Sequence, residues 1–218
     1  QLTMKTMKTI KTIKTITLVT IAILGFTSCS NDDDATPILA VESEAVSNLH
    51  APQTGGQGQP IGGEFTKFDF STGTTTTSDT DWDIAFRGTT IIVNGGESQG
   101  TTDEPSRTGN SAAYIASNTF TGVTSVDENL FVQDSQSALA IPTGSDNGWY
   151  NYNSATFTIT PLAGKILVFR TADNKYAKIE ILSYYENAPA TPDPFTDASR
   201  YFTFNYVYQP NDGVTTFE

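Results

Sequence analysis

Beyond residue 60, polar and apolar positions alternate along much of this chain with the two-residue period of half-buried strands. Residues 64–70 (EFTKFDF) carry an aromatic stripe, and 71–80 (STGTTTTSDT) follow as a polar loop. The most patterned stretch is DWDIAFRGTTIIVNGG at 81–96: Trp82, Ile84 and Phe86 alternate with Asp81, Asp83 and Arg87, and an apolar run then meets Asn94-Gly95-Gly96. This predicts a framework strand with its apolar face buried and Asp81 and Asp83 on a solvent face, then a second strand ending in a turn. Residues 165–170 (KILVFR) and 176–185 (YAKIEILSYY) flank TADNK, with Asp173-Asn174 at the turn, the clearest hairpin signal in the chain. In 200–209 (RYFTFNYVYQ) the rings of Phe202, Phe204, Tyr206 and Tyr208 fall on one face. The proline-rich 186–195 (ENAPATPDPF) reads as a loop, because proline cannot sit in a central strand. Only 112–117 carries a weak helical signal. These elements predict an all-β chain: a single, mostly antiparallel β-domain over 46–218, with no repeat of the kind a propeller or solenoid requires.

The first 28 residues follow a different rule. Lys5, Lys8, Lys11 and Lys14 form a basic segment, and the apolar 16–26 is shorter than the ~20 residues a membrane span needs. The pattern is that of a signal peptide, to be excluded from the fold. Phe26-Thr27-Ser28-Cys29 then resembles a bacterial lipobox, with Phe26 in place of the usual Leu. Cys29, the one cysteine, becomes the lipid attachment site and leaves no partner for an intrachain disulfide. The acids Asp32, Asp33 and Asp34 lack the alternate spacing of a calcium loop. They resemble the export signal that carries some lipoproteins to the outer face of the outer membrane. The expected organisation is a lipoprotein signal peptide at 1–28, a lipidated acidic linker at 29–45 and the β-domain at 46–218. The expected location is the outer membrane, lipid-anchored and exposed at the cell surface.

Charge narrows the function. Of 12 basic residues, the four leader lysines precede the cleavage point, so the remaining eight face all 24 acids. Nucleic acid, which requires a basic footprint, is excluded as a partner, and contact with the membrane is left to the lipid anchor. Catalytic patterns are thin. Gly96-Glu97-Ser98-Gln99-Gly100 matches a nucleophile elbow, but no helix signal follows it and the one histidine, His50, lies upstream. Asp81 and Asp83 have the look of a glycosidase pair only in their proximity.

Three blocks in order carry a resemblance. They are DWDIAFR at 81–87 with Asn94-Gly95-Gly96; GWYNY at 148–152 with Ile159-Thr160-Pro161; and VFRTAD at 168–173 with KYAK at 175–178 and ILSYY at 181–185. Together, behind a lipobox, they are similar to the HmuY family of haem-binding lipoproteins. The resemblance covers about 60–209. It implies a hand-shaped all-β fold that grips haem between projecting loops. It also implies transfer of the haem to a TonB-dependent outer-membrane receptor, without catalysis. Two axial ligands, histidines or methionines, are implied as well, one near Phe157 and one within 123–140. Here Phe157 cannot coordinate iron, both methionines fall in the leader, and 123–140 contains neither residue type. His50 reads as a solvated loop residue at the start of the domain. Tyr150, Tyr152 and Phe157 are therefore the candidate haem-site neighbourhood, with strand packing the competing reading for the tyrosines. Arg87, Arg107, Arg170 and Arg200 are candidate partners for the haem propionates. Two functions follow: a haem- or tetrapyrrole-binding surface lipoprotein, or an accessory binding lipoprotein on the same scaffold with a different, non-haem ligand.

Overall fold

The computed structural model describes residues 37–56 and 58–218, of which 38–218 form one compact unit. The expected signal segment at 1–28, Cys29 and the acids at 32–34 lie outside the described residues. Among the described residues thirteen strands follow one another: β1 (Glu42–His50), β2 (Thr54–Gly56), β3 (Gln59–Gly62), β4 (Thr66–Asp69), β5 (Thr74–Thr76), β6 (Ile84–Arg87) and β7 (Thr90–Val93). They continue with β8 (Ala112–Ser117), β9 (Tyr150–Asn153), β10 (Thr158–Pro161), β11 (Lys165–Arg170), β12 (Tyr176–Tyr185) and β13 (Ser199–Gln209). A single 3-10 turn at Glu128–Leu130 interrupts them. Every strand pairing in these sheets is antiparallel, and the all-β reading holds.

Two sheets form a sandwich: a five-stranded sheet ordered β1-β13-β12-β11-β8 and a four-stranded sheet ordered β5-β4-β6-β7. Their facing sides are aromatic. Phe204 on β13 lies 5.6 Å from Phe68 on β4 and 5.9 Å from Phe86 on β6, and Phe202 lies 4.8 Å from Phe86 (ring centroids). The four rings expected on one face of β13 all enter this core. The hairpin of β11 and β12 forms as predicted, with Asn174 in the left-handed region (φ 68°) that its short polar side chain tolerates.

Each sheet also carries a second apolar layer on its outer face. Ile166 and Val168 of β11, Tyr176 of β12 and Val207 of β13 pack beneath Val123, Phe120 and Phe217. Trp82, Ala85 and Ile92 pack with Phe65 on the outside of the four-stranded sheet. All four residues of β6 are buried for this reason.

The structure departs from the sequence reading in several places. Trp82 does not share a face with Ile84 and Phe86: the chain bends at 81–83, strand geometry starts only at Ile84, and the indole packs on the outer layer. Residues 112–117 form β8, because the edge of β11 offers six paired positions and that pairing outweighs the helical preference of three alanines. β1 starts at Glu42, so its first four residues fall in the segment expected to be linker, and it pairs with β13 along its length. His50 ends β1 rather than lying in a loop, and its ring stacks on Tyr201 at 4.4 Å.

Asp83 is a further correction. It is 6 % exposed instead of facing solvent, and its carboxylate holds two turns together: Oδ2 accepts from the Phe70 N–H at 2.9 Å and Oδ1 from the Ala172 N–H at 2.7 Å. Burial pushes its carboxyl up to about 7, opposed by these two N–H groups and reinforced by the Asp69 and Asp173 carboxylates. A folded-state value above the unfolded one means that the folded chain binds the proton more tightly. Stability is then fully present below about pH 4 and declines as pH rises towards about 7. Urea midpoints measured from pH 5 to 8 should fall with pH in the native chain. In Asp83→Asn they should start lower, because one N–H loses its acceptor, and lose the Asp83 contribution to that slope.

Candidate functional site: the β9–β10 hairpin and the proline-rich loop

β9 and β10 form a two-stranded hairpin with Tyr152 opposite Ile159 and Tyr150 opposite Pro161. These four share a face. At the base, Tyr150 is buried with its ring 4.9 Å from Trp149; one pair further out, Ile159 packs on the sandwich core and its N–H donates to the Tyr185 hydroxyl at 3.0 Å. Towards the tip the same face leaves the core, and Tyr152 is 43 % exposed. The hairpin is anchored from the side by Ser145 and Asp146, whose side-chain oxygens accept from the Tyr152 N–H at 2.8 Å and the Asn151 amide at 2.8 Å.

The turn itself is specified locally. The Asn153 carboxamide accepts from the Ala155 N–H at 2.9 Å, the side-chain mimic of a backbone turn. Phe157 closes the turn with φ 59°, a conformation that is uncommon for so bulky a residue and that concentrates at ligand-contacting sites. Its ring is 55 % exposed and meets Phe195 edge-on at 6.1 Å; Phe195, in the proline-rich loop, is 80 % exposed. A hairpin tip and a separate loop thus present two rings to solvent side by side. Leaving large apolar rings exposed is unfavourable unless something covers them, so the pair is a candidate contact surface.

The sequence-predicted residues therefore divide. Tyr150 is a core residue, whose hydroxyl reaches Thr89 Oγ1 at 3.5 Å; Tyr152 and Phe157 stand free on the hairpin. Of the segment 123–140, the first part packs over the outer face of the five-stranded sheet, with Phe131 against Tyr114 and Tyr176 and Val132 bridged to Ala113, while Asp134 accepts from the Val93 N–H and Ala140 enters the sandwich core. Phe195 was missed. Its signal was an aromatic ring inside a segment whose prolines mark it as a surface loop.

The four arginines are committed elsewhere. Arg87, 4 % exposed, lies 4.1 Å above the Phe65 ring and donates to Gly63 O and Thr101 Oγ1. Arg107 bridges Glu104 and Asp134; Arg170 donates to Asn110 O, and Arg200 to Gln53 O. A separate cavity of about 440 Å3 is lined by Trp82 and by Asp69, Asp81, Asp83 and Asp173. Among the described residues, no group of three His, Cys, Asp or Glu side chains is placed to hold a metal ion. Asn94, at the end of the opening motif, is wholly buried: its amide donates to Trp82 O at 2.8 Å and its carbonyl accepts from the Thr108 N–H at 2.7 Å. The motif is a structural knot between strands and loops.

The chain is thus an antiparallel sandwich with two outer apolar layers and an aromatic-tipped hairpin. The HmuY protein family model matches residues 63–206, more than half of the chain, and the chain belongs to the HmuY family. Solved structures similar to it share little sequence. One described as a candidate lipoprotein from Bacteroides fragilis NCTC 9343 is 16 % identical, covering 78 % of this chain and 90 % of that one at a TM-score of 0.45. The apo HmuY analog of Tannerella forsythia is 14 % identical, covering 81 % and 100 % at 0.44. A candidate HmuY-like heme binding protein from Bacteroides vulgatus ATCC 8482 is 16 % identical, covering 78 % and 93 % at 0.43. No curated protein matches.

Proposed function

We propose that this chain is a lipid-anchored surface protein of the outer membrane that binds haem or a related tetrapyrrole and hands it to a TonB-dependent receptor, performing no chemistry on it. Cys29 carries the lipid, and the acidic segment after it directs export. Membership of the HmuY family supports the ligand class. The observation that carries the site is the exposed Phe157–Phe195 pair, with Tyr152 on the same hairpin.

The residues present suit the faces of a flat macrocycle better than its iron. Phe157 offers no lone pair, His50 is stacked on Tyr201, and the arginines that would pair with propionates already have acceptors. Tyr152 is the hairpin's one free hydroxyl suited to iron. This favours, as a second reading, another flat apolar ligand held by the same rings.

Titration of the chain from Ser30 onward with haemin, followed at the Soret band, separates the two. Saturable one-to-one binding is expected. Phe157→Ala should weaken it several-fold, since an aromatic pair contributes about 0.5–1.5 kcal/mol beyond buried area. A spectrum unchanged in Tyr152→Phe would assign binding to packing alone. Failure to bind both haemin and iron-free protoporphyrin would sink the tetrapyrrole reading and leave the second.

A further inference from the structure

Lys178 occupies a place where a lysine is unexpected. It sits in β12, the central strand of the five-stranded sheet, with Val168 and Val207 directly opposite on the neighbouring strands. Its side chain points into the outer apolar layer and the residue is 4 % exposed. Burying an ammonium is unfavourable unless its charge is compensated. The compensation here is partial. Nζ donates to Phe120 O at 2.7 Å and Val123 O at 2.6 Å, and lies 4.7 Å and 5.1 Å from the ring centroids of Phe120 and Phe217. Two carbonyls account for two of its three N–H bonds. The four ion pairs among the described residues all involve other cations.

The same ammonium lines a cavity of about 350 Å3, within the range of small-molecule sites, ~300–1,000 Å3. Val41, Phe120, Val207 and Phe217 supply apolar walls, and Ser43, Thr124 and Glu218 stand among the polar lining. Burial pushes the Lys178 amine down from its ordinary value, with the Glu218 carboxylate opposing. Glu218 lies beyond ion-pair distance of Lys178 and is the one acid among the described residues that line the cavity.

We propose that Lys178 and this cavity form a binding site for a small monocarboxylate with an apolar tail. The carboxylate accepts the third N–H of the ammonium, and the tail lies against the valine and phenylalanine walls. A single buried cation selects a monoanion, and the apolar walls disfavour a strongly hydrated polyanion. The site lies on the outer face of the sheet, away from the sandwich core, and does not depend on the hairpin rings.

Calorimetric titration of the chain from Ser30 onward with octanoate, octanol and octylamine tests this. Octanoate should bind saturably, octanol about tenfold more weakly or worse through loss of a charged hydrogen bond, and octylamine not at all. Lys178→Met should abolish the preference for octanoate. Ser43→Trp, on the exposed side of β1, should block the cavity while leaving both carbonyl bonds of Lys178 intact, and it decides the matter if Lys178→Met does not fold. Equal binding of octanoate and octanol, no binding of octanoate, or full binding by Ser43→Trp would overturn the proposal and leave Lys178 as a clamp on the segment above it.

Discussion

Arg107→Met is expected to destabilise the folded chain by about 3–5 kcal/mol, the loss seen when a buried ion pair is broken by removing one partner. The Arg107 side chain is 2 % exposed and reaches two acids that are as deeply buried, Glu104 at 2.7 Å and Asp134 at 3.0 Å. Asp134 does more than balance charge. Its carboxylate accepts from the N–H groups of Val93 at 3.0 Å and Ala140 at 2.8 Å, so one cation steadies the end of β7 and two long loops. Burial already pushes the Asp134 carboxyl up, with Arg107 among the groups opposing. Without the guanidinium, the acid relieves itself by taking a proton. The loss should therefore be largest near neutral pH and shrink towards acid. Urea unfolding followed by tryptophan fluorescence reads it directly, because the guanidinium lies 5.9 Å over the Trp82 ring. A midpoint unchanged from the native chain would show that the triad contributes nothing net. Arg107→Lys should fall between the two, since an ammonium cannot reproduce the planar fork.

Phe204→Ala is the second large effect, about 3–5 kcal/mol for a ring deleted from a packed core. Phe204 is wholly buried and touches rings from both sheets, Phe68 and Phe86 on one and Tyr206 on its own strand. The void would open between two sheets whose backbones are fixed by their own ladders, which limits collapse. Thermal unfolding should show the loss together with a cooperative transition, as the outer layers are untouched. A shift no larger than that of an exposed substitution such as Leu182→Ala would contradict the sandwich packing.

Strands whose partners lie next to them in sequence were legible. The β11–β12 hairpin and the ring face of β13 follow from alternation, because one face is aromatic and the turn residues are correct. What alternation could not show is a second covered face. Lys178 and Glu180 alternate with Ile179 and Ile181 along β12, yet Lys178 is buried because 118–123 and the C-terminal segment fold over it. Asp83 was misassigned for the same reason: its partners are backbone groups at residues 70 and 172, distant in sequence. The aromatic site was half legible. Phe157 is singled out in the sequence only through the family resemblance, while Phe195 reaches it from a loop about forty residues on, a contact that only the folded chain makes.

The outermost strand of the larger sheet has a consequence for how copies of this chain meet one another. Between Val46 and Leu49 the register of β1 against β13 slips, and Asn48 turns left-handed with φ 57°. The free margin of β1 also carries Glu42 and Glu44, both exposed. A kinked, negatively charged margin is a poor template for a further strand, so neighbouring copies packed side by side would repel rather than zip together. An edge that other β-proteins must hide is then left open without becoming adhesive.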